Sequence, residues 1–293
     1  MNDVINIYRL YMLIARHWFE NRRLYILFLS AIIVLLSGWF IFFLLVGNPF
    51  LFSHNNQLII YFMGLFISGC LSAAFLIRDF SNKPQKINYL LLPAAAFEKL
   101  TCILFYGVFL FFIAYTVIFY ATDFFALKMA NSTIAGLMTS NSRDALQWRQ
   151  QFGITQPLNP ASMVNVFSPG AGSFIFSPGD NIELFTAFFP LQSAFILGSI
   201  YFRKNSLFKT IVALLGCFLL FFIINGKILM PLFPRSSQIF GTFTVLRTFD
   251  GDGTERIYSL PSWIGQTAGF LVTYLITPVL WLATYYRLKE NEI

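Results

Sequence analysis

Residues 24–77 read LYILFLSAIIVLLSGWFIFFLLVGNPFLFSHNNQLIIYFMGLFISGCLSAAFLI and contain no Asp, Glu, Lys or Arg. A bilayer core of about 30 Å is crossed by about 20 helical residues, and in lipid the backbone must satisfy its own hydrogen bonds, as a helix does. The stretch is too long for one crossing. Gly47, Asn48 and Pro49, followed by Ser53, His54, Asn55, Asn56 and Gln57, form a polar turn cluster in its middle. The reading is therefore a hairpin of two membrane-crossing helices, Leu24 to Val46 and Leu58 to Ile77.

The same signature recurs outward from this hairpin. Charge-free windows run from Leu100 to Thr122, Leu184 to Phe202, Thr210 to Gly226 and Ile257 up to Arg287. They predict four more spans: Leu100 to Thr122, Leu184 to Phe202, Thr210 to Gly226 and Trp263 to Tyr286. A composition of 57% hydrophobic, 19% aromatic and 11% charged residues lies far from that of soluble domains. The expected fold is an all-α polytopic membrane protein, one transmembrane domain over residues 1–293 with six transmembrane helices. Arg9, Arg16, Arg22 and Arg23 precede a first span too long for a signal-peptide core, and no small-residue cleavage site follows, so no cleaved leader is expected.

Six spans place both termini on one side. Thirteen of the 20 basic residues fall on that side, while the other side carries equal numbers of basic and acidic residues. The positive-inside rule makes the basic face cytoplasmic and predicts a multi-pass protein of the bacterial inner membrane. A net charge of +7 arranged this way meets anionic headgroups and gives no reason to expect nucleic acid. Cys70, Cys102 and Cys217 all fall within predicted spans as small apolar fillers, and His17 and His54 stand far apart, so neither metal nor haem is expected.

Between the spans, residues 1–23 repeat apolar positions (Val4, Ile7, Tyr8, Tyr11, Ile14, Ala15, Trp18) at helical spacing, with Asn6, Arg9, Arg16 and His17 tending to another face. This predicts an interfacial helix, either a plain anchor or one that also touches a cytoplasmic partner. The loop 78–99 mixes Arg78, Asp79, Lys83, Lys86, Glu98 and Lys99 with the apolar run Tyr89-Leu90-Leu91-Leu92. Pro93 then leads Ala94, Ala95, Ala96, Phe97 and Glu98 into a helix. Such a knuckle can dock a partner or tuck against the bundle.

Two segments are expected outside. Residues 123–183 hold a helix-like piece at Arg143 to Gln151 and the repeated turn signal Phe167-Ser168-Pro169-Gly170 and Phe176-Ser177-Pro178-Gly179. Residues 227–262 alternate about Asp250-Gly251-Asp252-Gly253, which predicts a β-hairpin with strands Gln238 to Phe249 and Glu255 to Leu260. The run lacks the distal Glu of a calcium loop.

Catalytic signatures are missing. No G-x-x-x-x-G-K-[ST], H-E-x-x-H, G-x-S-x-G or G-x-G-x-x-G occurs, and the six predicted spans carry no ionisable Asp, Glu, Lys, Arg or His. The chain is therefore expected not to be an enzyme, to hold no cofactor, and not to be an ion-coupled carrier. Gly64, Ser68 and Ser72, and Gly265 with Gly269, form small-residue ridges suited to close helix packing.

Taken together, the N-terminal helix, six spans, cytoplasmic loop and external segments resemble the permease subunit of ABC transporters of the ABC-2 type. Tyr89-Leu90-Leu91-Leu92-Pro93-Ala94-Ala95-Ala96-Phe97-Glu98-Lys99 is similar to an L-L-P-A-S-x-x-E-K stretch of permease-like proteins in that group, with Ala95 in place of the serine. The resemblance implies an ATP-driven exporter of a lipid-like or amphipathic substrate. A cytoplasmic P-loop ATPase subunit and a second permease copy or paralogue would be its partners. The ATPase would dock on Arg9, Arg16, Arg78, Lys83, Lys86, Leu91, Glu98 and Lys99. The competing expectation is a non-transporting scaffold or envelope-assembly protein acting through its external segments.

Overall fold

The computed structural model describes residues 6–46, 52–76, 94–140, 143–152, 160–168, 180–202, 205–224, 236–242, 245–250, 255–259, 263, 267 and 270–290. Its helices are α1 (Ile7–Val46), α2 (His54–Leu76), α3 (Ala96–Thr139), α4 (Arg143–Gln151), α5 (Asp180–Tyr201), α6 (Ser206–Ile224) and α7 (Ile276–Glu290). Among the described residues four helices are long and apolar enough to cross a bilayer: α1, α2, α3 and the Leu184–Tyr201 part of α5. The chain is a multi-pass membrane protein. The described apolar stretch of α6, Ser206–Leu220, is shorter than a crossing, and most residues between 261 and 269 lie outside the described ones.

Two helices are longer than the sequence predicts. α1 is continuous for 40 residues, about 60 Å. The expected junction between an interfacial helix and a span at residue 24 does not exist, because Glu20, Asn21, Arg22 and Arg23 contain neither Gly nor Pro and simply carry the helix on. α3 is continuous for 44 residues, about 66 Å, and passes Thr122 without a break. It contains one wider turn at Phe105–Leu110, of the i→i+5 type. Residues 123–139, the first part of the segment expected outside, are thus the last part of α3.

The chain falls into two compact units, residues 1–76 with 94–188 and residues 77–93 with 189–293. In the first, Leu58, Tyr61 and Leu65 of α2 and Tyr115 and Phe119 of α3 are fully buried. Tyr115 Oη donates to the Tyr61 carbonyl at 2.8 Å, and Tyr61 Oη meets Thr116 Oγ1 at 2.9 Å, so both phenols are buried with partners. Phe185 and Phe188 add edge-to-face contacts with Phe62 and Phe66 at 5.0 and 5.8 Å between centroids. The small-residue ridge of α2 serves these rings: a Cβ on Gly64 would strike the Tyr115 hydroxyl, and one on Gly69 would meet the Phe188 ring at 2.5 Å. The expected ridge thus admits aromatic side chains where close backbone approach was anticipated.

In the second unit, β1 (Ser236–Thr242), β2 (Val245–Asp250) and β3 (Glu255–Ser259) form an antiparallel sheet in the order β1-β2-β3. The single strand expected from Gln238 to Phe249 is divided in two, with Thr242 paired to Val245. Twelve residues in one strand would exceed the usual length of about five or six, and folding back lets β2 hydrogen-bond along both edges.

Candidate functional site

The local sequence Ala94-Ala95-Ala96-Phe97-Glu98-Lys99 starts α3. Ala95 is its extended N-cap, so the helix begins at Ala96 rather than at Pro93. The first amides of a helix have no internal partner. Glu98, in the first turn, bends its carboxylate back so that Oε2 accepts from the Ala95 amide at 3.0 Å. This is half of a capping box. The reciprocal bond needs a hydroxyl at the N-cap, and Ala95 has none.

The same carboxylate serves a second helix. Oε1 accepts from the Asn6 amide at 2.8 Å, while Asn6 Oδ1 accepts from the amides of Tyr8 and Arg9 at 3.0 and 3.4 Å and so caps α1. Arg9 Nε stands 3.8 Å from Oε1. One buried anion therefore lies at the positive ends of two helix dipoles and beside a guanidinium. Glu98 is 0% exposed and Lys99 1%. Neither presents itself at the surface, because Glu98 is consumed in joining α1 to α3.

Higher on the same helices, Tyr106 Oη donates to the Ile14 carbonyl at 2.9 Å and its ring stacks on Tyr25 at 5.5 Å. His17 Nε2 bonds Tyr25 Oη at 2.7 Å, and Trp18 stacks on Tyr25 at 6.0 Å. The Tyr106 contacts hold α1 against α3 between Ile14 and Tyr25, and His17 and Trp18 brace Tyr25 from within α1. On the exposed side, Arg9 and Arg16 lie two turns apart, with side chains 41% and 50% exposed, and Arg16 pairs with Glu20 at 2.7 Å. Arg23, another two turns on, is also exposed and completes a basic stripe. Its seven-residue spacing from Arg16 was the available signal. Of the expected docking residues, Arg9 and Arg16 are therefore accessible, Glu98 and Lys99 are not, and Arg78, Lys83, Lys86 and Leu91 lie outside the described residues.

No family model, curated protein or solved structure matches the chain. The arrangement must be judged on its own chemistry, and among the described residues no three His, Cys, Asp or Glu side chains gather as metal ligands.

The far end of α3 carries a different constellation. Residues 160–168 lie across α2 and α3 and are held by side chains that imitate a neighbouring strand. Gln57 donates to the carbonyls of Phe52 and Ser162 at 3.0 and 3.1 Å and accepts from the Val164 amide at 3.0 Å. Asn131 pairs with both backbone groups of Ala161 at 2.8 Å. Tyr120 Oη accepts from the Val166 amide at 3.1 Å, and His54 meets Ser162 at 2.9 Å. The clip buries Val164 and Val166 almost completely.

Asp123 lies in the same far half of α3, between Tyr120 and Asn131 of the clip. It shares the buried face of α3 with Phe119, Ala126 and Ala130 and is 0% exposed. Neither carboxylate oxygen has a hydrogen-bond partner among the described residues. Asp123 was expected just outside the span Leu100 to Thr122, where the charge-free window ends. The signal overlooked was its spacing, four residues after Phe119 and three before Ala126, which sets it on the apolar stripe.

Proposed function

We propose that the chain is the membrane-spanning permease subunit of an ATP-driven exporter of the ABC-2 type. It would span the bacterial inner membrane six times with both termini cytoplasmic, α6 and the 263–286 segment supplying the fifth and sixth crossings. The observation that carries this reading is the Glu98 junction: the N-terminal helix and the start of α3 are one mechanical piece. A push on the 78–93 loop or on the basic stripe of α1 is then delivered to both helices together. A cytoplasmic P-loop ATPase closing on nucleotide would drive such a rigid-body displacement. Arg9, Arg16 and the loop residues Arg78, Lys83, Lys86 and Leu91 are its contacts, with Glu98 and Lys99 acting behind the surface. The cargo is lipid-like or amphipathic, in keeping with helices that carry so many Phe and Leu side chains. A second permease copy or a paralogue would complete the pathway.

The test is purification from the native cell in mild detergent, with co-eluting proteins identified by mass. A P-loop ATPase is expected with the native chain and reduced roughly tenfold or more by Leu91→Asp, as for loss of a buried anchor at an interface. Its absence from the native preparation sinks the permease reading. A second reading, a scaffold for envelope assembly, is favoured by one observation: the clip, α4 and the small sheet provide ordered structure beyond that needed to join helices. Recovery of an envelope protein without any ATPase would select it.

A further inference from the structure

Within the second unit α5, α6 and α7 line an open groove of about 600 Å³. Small side chains make it. Gly198 lets α5 close on Thr210 of α6, whereas Ala213 and Ala283 leave the space between α6 and α7 unfilled. The groove has a direction. One end is bounded by Ala194, Cys217 and Leu280, without a charged side chain, and about two helical turns away, roughly 10 Å, lie Tyr201, Thr210 and Arg287. Such a length matches part of one leaflet of a hydrocarbon core about 30 Å thick.

The polar end has the chemistry of a headgroup site. The Arg287 guanidinium carbon lies 5.0 Å from the centre of the Tyr201 ring and Nη1 bonds Glu290 at 2.7 Å. Lys209 Nζ stands 5.9 Å from the centre of the Phe202 ring. Both aromatic rings line the groove together with Arg287 and Glu290, Lys209 stands beside this end on the Phe202 ring, and Lys289 adds a further positive charge on the same turn of α7. Aromatic rings and cations together at the end of membrane helices are the arrangement that meets the interface.

We infer that this groove holds one anionic phospholipid, an acyl chain lying between α6 and α7 along Leu214 and Leu280 and the phosphate at Arg287 and Lys209. An apolar channel accounts for the chain and the surplus of positive charge for the preference among headgroups. A volume of about 600 Å³ lies within the range of small-molecule sites, about 300–1,000 Å³. The inference does not rest on the transport reading, because a lipid held here serves a scaffold equally well.

Native mass spectrometry of the full chain, released from detergent with equal amounts of phosphatidylglycerol and phosphatidylcholine of the same acyl composition, tests it. The native chain is expected to retain phosphatidylglycerol over phosphatidylcholine by about tenfold, since the basic surplus acts only on the anionic lipid. Lys209→Gln combined with Arg287→Gln should bring the ratio near one. Ala283→Phe should remove the retained lipid of either class, with Ala213→Phe as an independent filler should the first variant fail to fold. Equal retention of both lipids by the native chain overturns the inference. So does an Ala283→Phe chain that keeps its preference. A change from dimer to monomer in Ala283→Phe with lipid retention unchanged would also overturn it and assign the groove to a second copy.

Discussion

The first turn and the far half of α3 each bury a carboxylate, and they treat it in opposite ways. Glu98 accepts from two backbone amides and lies beside Arg9. Asp123, equally inaccessible, has no hydrogen-bond partner among the described residues. Removing a carboxylate from water costs several kcal/mol, an expense that charge-assisted bonds can offset at one end and nothing described offsets at the other. The difference separates a residue kept for architecture from one whose retention points to another requirement. It also bears on the expected span Leu100 to Thr122: Asp123 lies one residue beyond it, inside the same continuous helix and near the clip at residues 160–168.

The sharpest way to break this contrast is Glu98→Ala. It orphans the Ala95 and Asn6 amides at once and should lower unfolding stability in mild detergent by about 3 kcal/mol, with trypsin cutting at Arg9 and Arg16 sooner than in the native chain. A loss below about 1 kcal/mol would mean that water replaces the carboxylate and the junction is not buried in solution. Asp123→Asn should act in the other direction, raising stability by about 1–2 kcal/mol, because the amide fills the same space without a charge to desolvate. Destabilisation by Asp123→Asn in the same unfolding assay would reveal a partner for the carboxylate and erase the difference between the ends. The smallest effect is expected for Ala95→Ser, which supplies the missing half of the capping box and should add about 0.5–1 kcal/mol, read as a shift of the denaturation midpoint.

How much of this was legible beforehand depends on which property was read. Hydropathy located the apolar stretches well: α2 runs His54–Leu76 where Leu58 to Ile77 was read, and α5 ends at Tyr201 where Phe202 was read. It was a poor guide to helix ends. Arg22 and Arg23 end a charge-free window, but a helix continues through them because its hydrogen bonds are internal. The same error put Asp123 outside α3. The Glu98 junction was not legible. Ala95 lacks the hydroxyl that marks a capping signature, and the second partner, Asn6, is 92 residues away, so no local pattern encodes the pairing. The clip was not legible at all: Gln57 and Asn131 look like ordinary turn and helix polars until residues 160–168 lie against them.

The Asn6 to Glu98 bond has a consequence for how the molecule is made. At about 5–20 residues per second of chain growth, the start of α1 leaves the ribosome some 5–20 s before its capping carboxylate exists. During that interval the first turn of α1 has only Asn6 to cap it, and its aromatic side chains lack the Tyr106 surface. The first hairpin is therefore synthesised before the cap of α1 is complete, and the register between α1 and α3 is fixed only when α3 arrives.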